Sequence, residues 1–272
     1  MKISFESLKA NASKLTEDKL FCLLVGIRGA GKSTAIGSLK VPTLLIASSL
    51  ESHSIEAVQM FNPNIIPTLY DVDEHGKQLK PDLALNNLHS ILDYLIETDE
   101  LENNIEAVAI DSFSAIDKTI LEISKVITEK NGFERPKVIQ QEHLKVIRKL
   151  KEISRRNIHV IATLPIMAAL DDEGLYANAK PELTGADTTS IICGIFNEVL
   201  PVTKIGHQYI FQMELVIKKT GKDSAGADKS IISYPRITGL SKQDLLAAAG
   251  ENLLLPADLD YIVQLKKAKK GL

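Results

Sequence analysis

The chain has no tryptophan, two cysteines, and an aromatic content of only 5% in 272 residues. Cys22 and Cys193 cannot build a disulfide framework, and no Cys/His spacing matches a metal site, which points to a reducing cytoplasm. No apolar run reaches membrane-spanning length, and the opening Met-Lys-Ile-Ser-Phe-Glu carries no apolar leader core. An excess of one charge is also missing. The net charge of −3 excludes the overall basic signature of a nucleic-acid binder. The expectation is a soluble cytoplasmic protein with no membrane partner. What is plentiful is aliphatic: a 44% hydrophobic fraction is enough for one large α/β core.

One stretch dictates chemistry. Leu20-Phe-Cys-Leu-Leu-Val-Gly26 reads as a buried strand, followed by Ile27, Arg28, Gly29, Ala30, Gly31, Lys32, Ser33 and Thr34. This is G-x-x-x-x-G-K-S between a strand and a helix, the phosphate-cradling P-loop. Gly26, Gly29 and Gly31 permit the tight turn that aims successive N–H groups at phosphate oxygens. Lys32 supplies positive charge to the β- and γ-phosphates, and Ser33 offers a hydroxyl to Mg²⁺. The motif therefore predicts a nucleoside triphosphate, ATP with Mg²⁺, bound over residues 26–34.

Apolar periodicity beyond the motif predicts strands alternating with helices, hence a mostly parallel sheet with helices on both faces. Strands are expected at 41–47, 64–71, 105–111 and 157–163, the last closed by Pro165. Helices are expected after Ser54, from Pro81 with Leu83, Leu85, Leu88, Ile91, Leu92 and Leu95 on one stripe, over 114–129, and around Val146, Ile147, Leu150 and Ile153. Residues 171–190 read as a long polar loop. Tyr209, Phe211, Met213, Leu215 and Ile217 then alternate with mostly polar neighbours and predict one antiparallel strand added at the sheet edge. A strand at 230–237 and a helix at 241–249 complete the pattern. The domain reading is an N-terminal arm at 1–19, a core at 20–250 and a basic tail at 251–272.

Asp111 ends the strand Ala-Val-Ala-Ile and is the expected Mg²⁺ carboxylate beside Ser33; its alternative role is to cap the following helix. Glu51, beyond the second strand, is the candidate for activating water, and Thr163 is a candidate γ-phosphate sensor. His53 and His159 read as surface or packing residues. Charge is unevenly placed. Residues 134–156 hold eight Lys/Arg against three Glu, and Lys266, Lys267, Lys269 and Lys270 crowd the end.

The P-loop, Ile110-Asp-Ser-Phe-Ser114, Pro181-Glu-Leu-Thr-Gly185 and Phe196-Asn-Glu-Val-Leu200 together resemble the phage-type RecA-like ATPases, over about residues 20–250. The resemblance implies a RecA-like P-loop NTPase fold and an ATPase acting on single-stranded DNA in recombination or annealing. It also implies a homo-oligomer, ring or filament, with a single-strand-binding protein as a further candidate partner, in a host cytoplasm if phage-encoded. It makes Lys32 and Ser33 phosphate and Mg²⁺ ligands, Asp111 the Walker B carboxylate and Glu51 the water-activating group. Lys218, Lys219 and Lys222 are its candidates for a cation supplied in trans. DNA would meet residues 165–190, through backbone N–H groups and Tyr176, and the loop near 130–137, or else the basic 135–156 helix and the lysine tail. A P-loop small-molecule kinase and a non-hydrolysing nucleotide switch remain alternatives.

Overall fold

The structure is a computed structural model that describes residues 19–98, 104–128, 132–170, 172, 175–181, 183–184, 192–212, 215–222, 228–233, 236–250 and 255–271. The expected N-terminal arm lies outside these except for Lys19. The first strand, β1 (Phe21–Gly26), is wholly buried and leads through the glycine loop into α1 (Lys32–Ser38). Then follow β2 (Thr43–Ala47), a 3₁₀ turn (Ser49–Glu51), α2 (Ser52–Phe61), β3 (Ile65–Leu69) and α3 (Pro81–Glu97). Next come β4 (Ala107–Asp111), α4 (Phe113–Ile127), α5 (Arg135–Ser154) and β5 (His159–Leu170).

The parallel core runs β3-β2-β4-β5-β1-β7, with β7 spanning Glu198–Ile205. Its strands carry apolar residues on both faces because both are covered, as parallel sheets require. Leu23, Val25, Ile46, Val108 and Val160 pack in one cluster with α3, α4 and α5 residues such as Leu88, Ile116 and Leu150. Cys22, Leu24, Leu45, Ala109 and Ile161 pack on the other side with Ile36, Val58 and residues of the C-terminal helices. Burial pushes the Cys22 thiol well above its ordinary pKa, in keeping with a packing role. The mixed α/β class with a mostly parallel sheet is as expected; Leu83, placed on the inner stripe of α3 by its periodicity, is 49% exposed.

The structure corrects the distal half. β5 does not end near Pro165 but runs to Leu170 and pairs antiparallel with β6 (Tyr176–Pro181). Pro165 is tolerated because it falls between two partners: the β4 ladder ends at Ala162 and the β6 ladder starts at Ile166. Part of the expected 165–190 loop is therefore a hairpin. The alternating run at 209–217 is likewise two strands. β8 (Gln208–Phe211) returns antiparallel along β7, while β9 (Leu215–Lys222) joins β6 and the antiparallel β10 (Asp228–Ser233). The expected strand at 230–237 is thus shorter, and Arg236 makes only an isolated bridge to Val199.

After α6 (Lys242–Ala249), capped by a Ser241–Asp244 capping box, the chain makes β11 (Leu255–Pro256) and α7 (Leu259–Lys270). The C-terminal segment is thus a packed helix rather than a trailing tail. Lys266, expected to offer its charge, is buried and ion-pairs with Glu198 at 2.9 Å. No helix among the described residues is long and apolar enough to cross a membrane.

Candidate functional site

Four neighbouring parallel strands bring their carboxyl ends to one edge, where ligands of open α/β sheets bind. β1 delivers the glycine loop. Gly29 and Gly31 have φ of 79° and 93°, the left-handed conformation that builds a nest of N–H groups. Gly31 is required twice over, because a Cβ there would also collide with the Tyr209 ring. A Cβ at Gly26 would strike the Val202 carbonyl. The Lys32 ammonium folds beneath the loop, donating to the Gly26 and Ile27 carbonyls at 2.9 Å each.

β4 delivers Asp111, which does not cap α4; Ser112 occupies the N-cap position. The Asp111 carboxylate instead accepts from Ser33 Oγ at 2.7 Å and from Thr163 Oγ1 at 2.5 Å. Thr163, the expected γ-phosphate sensor, is fully buried, and its hydroxyl is turned to Asp111. β2 delivers Glu51, whose carboxylate accepts from Ser112 Oγ at 2.9 and 3.2 Å. Lys32, Ser33, Glu51 and Asp111 all line one cleft of about 620 Å³, together with Arg28, Gly29 and His53. His53 is exposed, as expected of a surface residue.

Sequence reasoning missed Asp71. This buried carboxylate accepts from Ser48 Oγ (2.6 Å), Ser49 N–H (2.8 Å), Ser49 Oγ (3.0 Å) and Gln78 Nε2 (3.2 Å). Burial pushes its pKa up, but these donors outweigh burial and hold it below the usual carboxylate range. Asp71 thereby pins the two residues that lead into the Glu51 turn. The available signal was an Asp at the end of a strand, the same signal that marked Asp111.

Tyr176 was also misread. It is 2% exposed, and its hydroxyl accepts from Ile27 N–H at 3.0 Å and donates to the Val202 carbonyl at 2.5 Å. It braces the glycine loop from β6 and is no surface for DNA. Of the loop near 130–137, the described part is a 3₁₀ turn (Gly132–Glu134) running directly into α5. Lys218, Lys219 and Lys222 fall in β9, which pairs with β6 and β10. His159 accepts the Leu20 N–H at 3.1 Å, and burial, with Lys19, Lys266 and Lys267 nearby, pushes its pKa down to about 3. It is a neutral packing histidine.

The donor set suits Mg²⁺ with a triphosphate. Among the described residues no cluster of three or more His, Cys, Asp or Glu forms a metal cage. One carboxylate and one hydroxyl 2.7 Å apart at a glycine nest are what Mg²⁺ needs when phosphates and waters complete its octahedron. Comparison with protein-family models and with curated proteins finds no match to this chain.

Proposed function

We propose that the protein is a RecA-like P-loop ATPase that acts on single-stranded DNA in recombination or annealing and assembles through nucleotide sites shared between copies. The observation that carries the reading is the row Glu51, Asp111, Ser33 and Lys32 along one sheet edge, facing one cleft. Lys32 neutralises charge on the transferred phosphoryl group, and the glycine-loop amides hold the phosphate tail. Ser33 and Asp111 would hold Mg²⁺, which would supply positive charge to offset that of the phosphates. Glu51 lies on the far side of Asp111 from the glycine loop and accepts a proton from the attacking water. Ser112 keeps that carboxylate turned toward the cleft.

The DNA part of the reading is supported by α5. Lys137, Lys145, Arg148 and Lys151 are exposed along one helix, a ridge about 21 Å long at 1.5 Å per residue. Cations in such a row suit successive phosphates. ATP turnover by the wild type, Lys32→Ala and Glu51→Gln, with and without single-stranded DNA, tests the proposal alongside sizing with and without ATP. DNA-stimulated turnover and nucleotide-dependent assembly are expected, with turnover lost in both variants. Turnover that requires a small phosphoacceptor would replace the reading with a kinase, and binding without turnover with a switch.

A further inference from the structure

The glycine loop has a wall on its other side. β7 pairs with β1 only from Glu198 to Pro201, so Val202–Ile205 overhang the end of β1. The hairpin turns at Gly206, and β8 comes back with Tyr209 opposite Lys204 and Gln208 opposite Ile205. This overhang stands beside the P-loop, and the Tyr209 ring lies directly against Gly31. Lys204 Nζ sits 5.5 Å from the ring centroid. Gln208, Tyr209, Ile210 and Pro256 line a second recess of about 330 Å³.

The direction of the reaction decides what this recess faces. In phosphoryl transfer the attacking and leaving oxygens lie roughly in line through phosphorus. Glu51 and Asp111 lie on the β2–β4 side of the glycine loop, so water approaches from there. The leaving diphosphate and its nucleoside must then extend the opposite way, past β1 toward β7 and β8. Tyr209 presents a partly exposed aromatic ring on that side, against Gly31.

Resting on the ATPase reading, we infer that the β7–β8 hairpin is the nucleobase subsite, in which the base stacks on Tyr209 and presents its edge to Gln208. The chemistry is that of a planar heteroaromatic ring: a π-face for stacking, a nearby lysine charge and an amide able both to donate and to accept. The partly exposed tyrosine then has a use beyond packing Gly31, and the hairpin overhang joins the nucleotide site.

Inorganic tripolyphosphate separates the base from the phosphate tail. By calorimetry with Mg²⁺, Tyr209→Ala is expected to weaken ATP between about fivefold and a hundredfold, the loss typical of one base–aromatic stack, and to leave tripolyphosphate affinity unchanged. Tyr209→Phe should keep ATP affinity. Because the chain has no tryptophan, Tyr209→Trp carries a single reporter, whose emission should respond to ATP and not to tripolyphosphate. An equal loss for both ligands in Tyr209→Ala would reduce Tyr209 to a support for Gly31. ATP binding by Tyr209→Trp with unchanged emission would overturn the subsite. Wild type that binds tripolyphosphate as tightly as ATP would also overturn it while leaving the P-loop reading intact. Binding of neither ligand would remove both.

Discussion

At the amino end of the sheet the buried carboxylate of Glu198 meets a cation, whereas at the carboxyl end Asp111, Glu51 and Asp71 are held by hydroxyl and amide groups. Glu198 and Lys266 are 0% and 1% exposed in their side chains, and the free carboxylate oxygen takes the Phe21 N–H at 2.8 Å. That charge is matched within the fold. Asp111 and Glu51 instead open onto a cleft, with hydroxyls that orient them but do not neutralise them. A charge-matched site is built for stability. Carboxylates that are oriented and left unneutralised fit the proposed role of receiving a cation and its ligand.

Removing the match at the closed end gives the largest expected effect. Lys266→Met leaves Glu198 buried without its cation and should cost about 3–5 kcal/mol in urea unfolding near pH 8. Burial raises the Glu198 pKa, and Lys266 pulls it back. A carboxyl raised above its unfolded value favours folding below that value and loses the benefit as pH rises through the folded one. The variant's deficit should therefore shrink as pH falls and Glu198 protonates. Glu198→Gln combined with Lys266→Met should recover most of the stability; a double variant as unstable as the single would mean lost packing dominates.

At the open end the corresponding change should spare the fold and remove chemistry. Glu51→Gln is expected to lower ATP turnover by about a hundredfold or more with binding retained. An unfolding midpoint equal to wild type checks that the effect is confined to the reaction. Turnover that survives would move water activation to another group.

His159 sharpens the comparison through pH alone. Its pKa is depressed to about 3, so the unfolded state takes up a proton first as pH falls below about 6.5. The stability it contributes is complete above that value and is lost progressively toward about 3. His159→Asn, which keeps an acceptor for Leu20 N–H, should flatten the acid limb of an unfolding profile between those limits. An unchanged limb would assign the acid loss to the carboxylates.

What was legible in the chain is what local pattern encodes. Residues 20–34 declare a strand, a glycine loop and a helix in sequence, and Ala107–Asp111 declares a buried strand ending in a carboxylate. The core face of α5 was readable from Val146, Ile147, Leu150 and Ile153, all buried. What was missed depends on partners far along the chain. Lys266 lies 68 residues from Glu198, Tyr176 lies 149 from Ile27, and neither side chain announces its partner locally. Pro165 read as a strand end because a proline breaks a ladder, and only the hand-over from β4 to β6 explains why it does not.

Asp71 gives the smallest and most discriminating test, because it is buried like Glu198 yet held by neutral donors like Asp111. Its depressed pKa means its contribution to folding is present above the ordinary carboxylate range and lost as pH falls through the folded value. Asp71→Asn keeps the shape but turns one acceptor into a donor that faces Ser48, Ser49 or Gln78. The expected cost is about 1–3 kcal/mol, read from thermal or urea unfolding at neutral pH. Because Asp71 pins Ser48 and Ser49 ahead of the Glu51 turn, kcat should fall severalfold while KM for ATP stays near wild type. A loss of stability with kcat unchanged would place Asp71 with Glu198, as a support of the fold. A loss of kcat at unchanged stability would make the carboxyl end of β3 part of the reaction edge, extending it by one strand beyond β2.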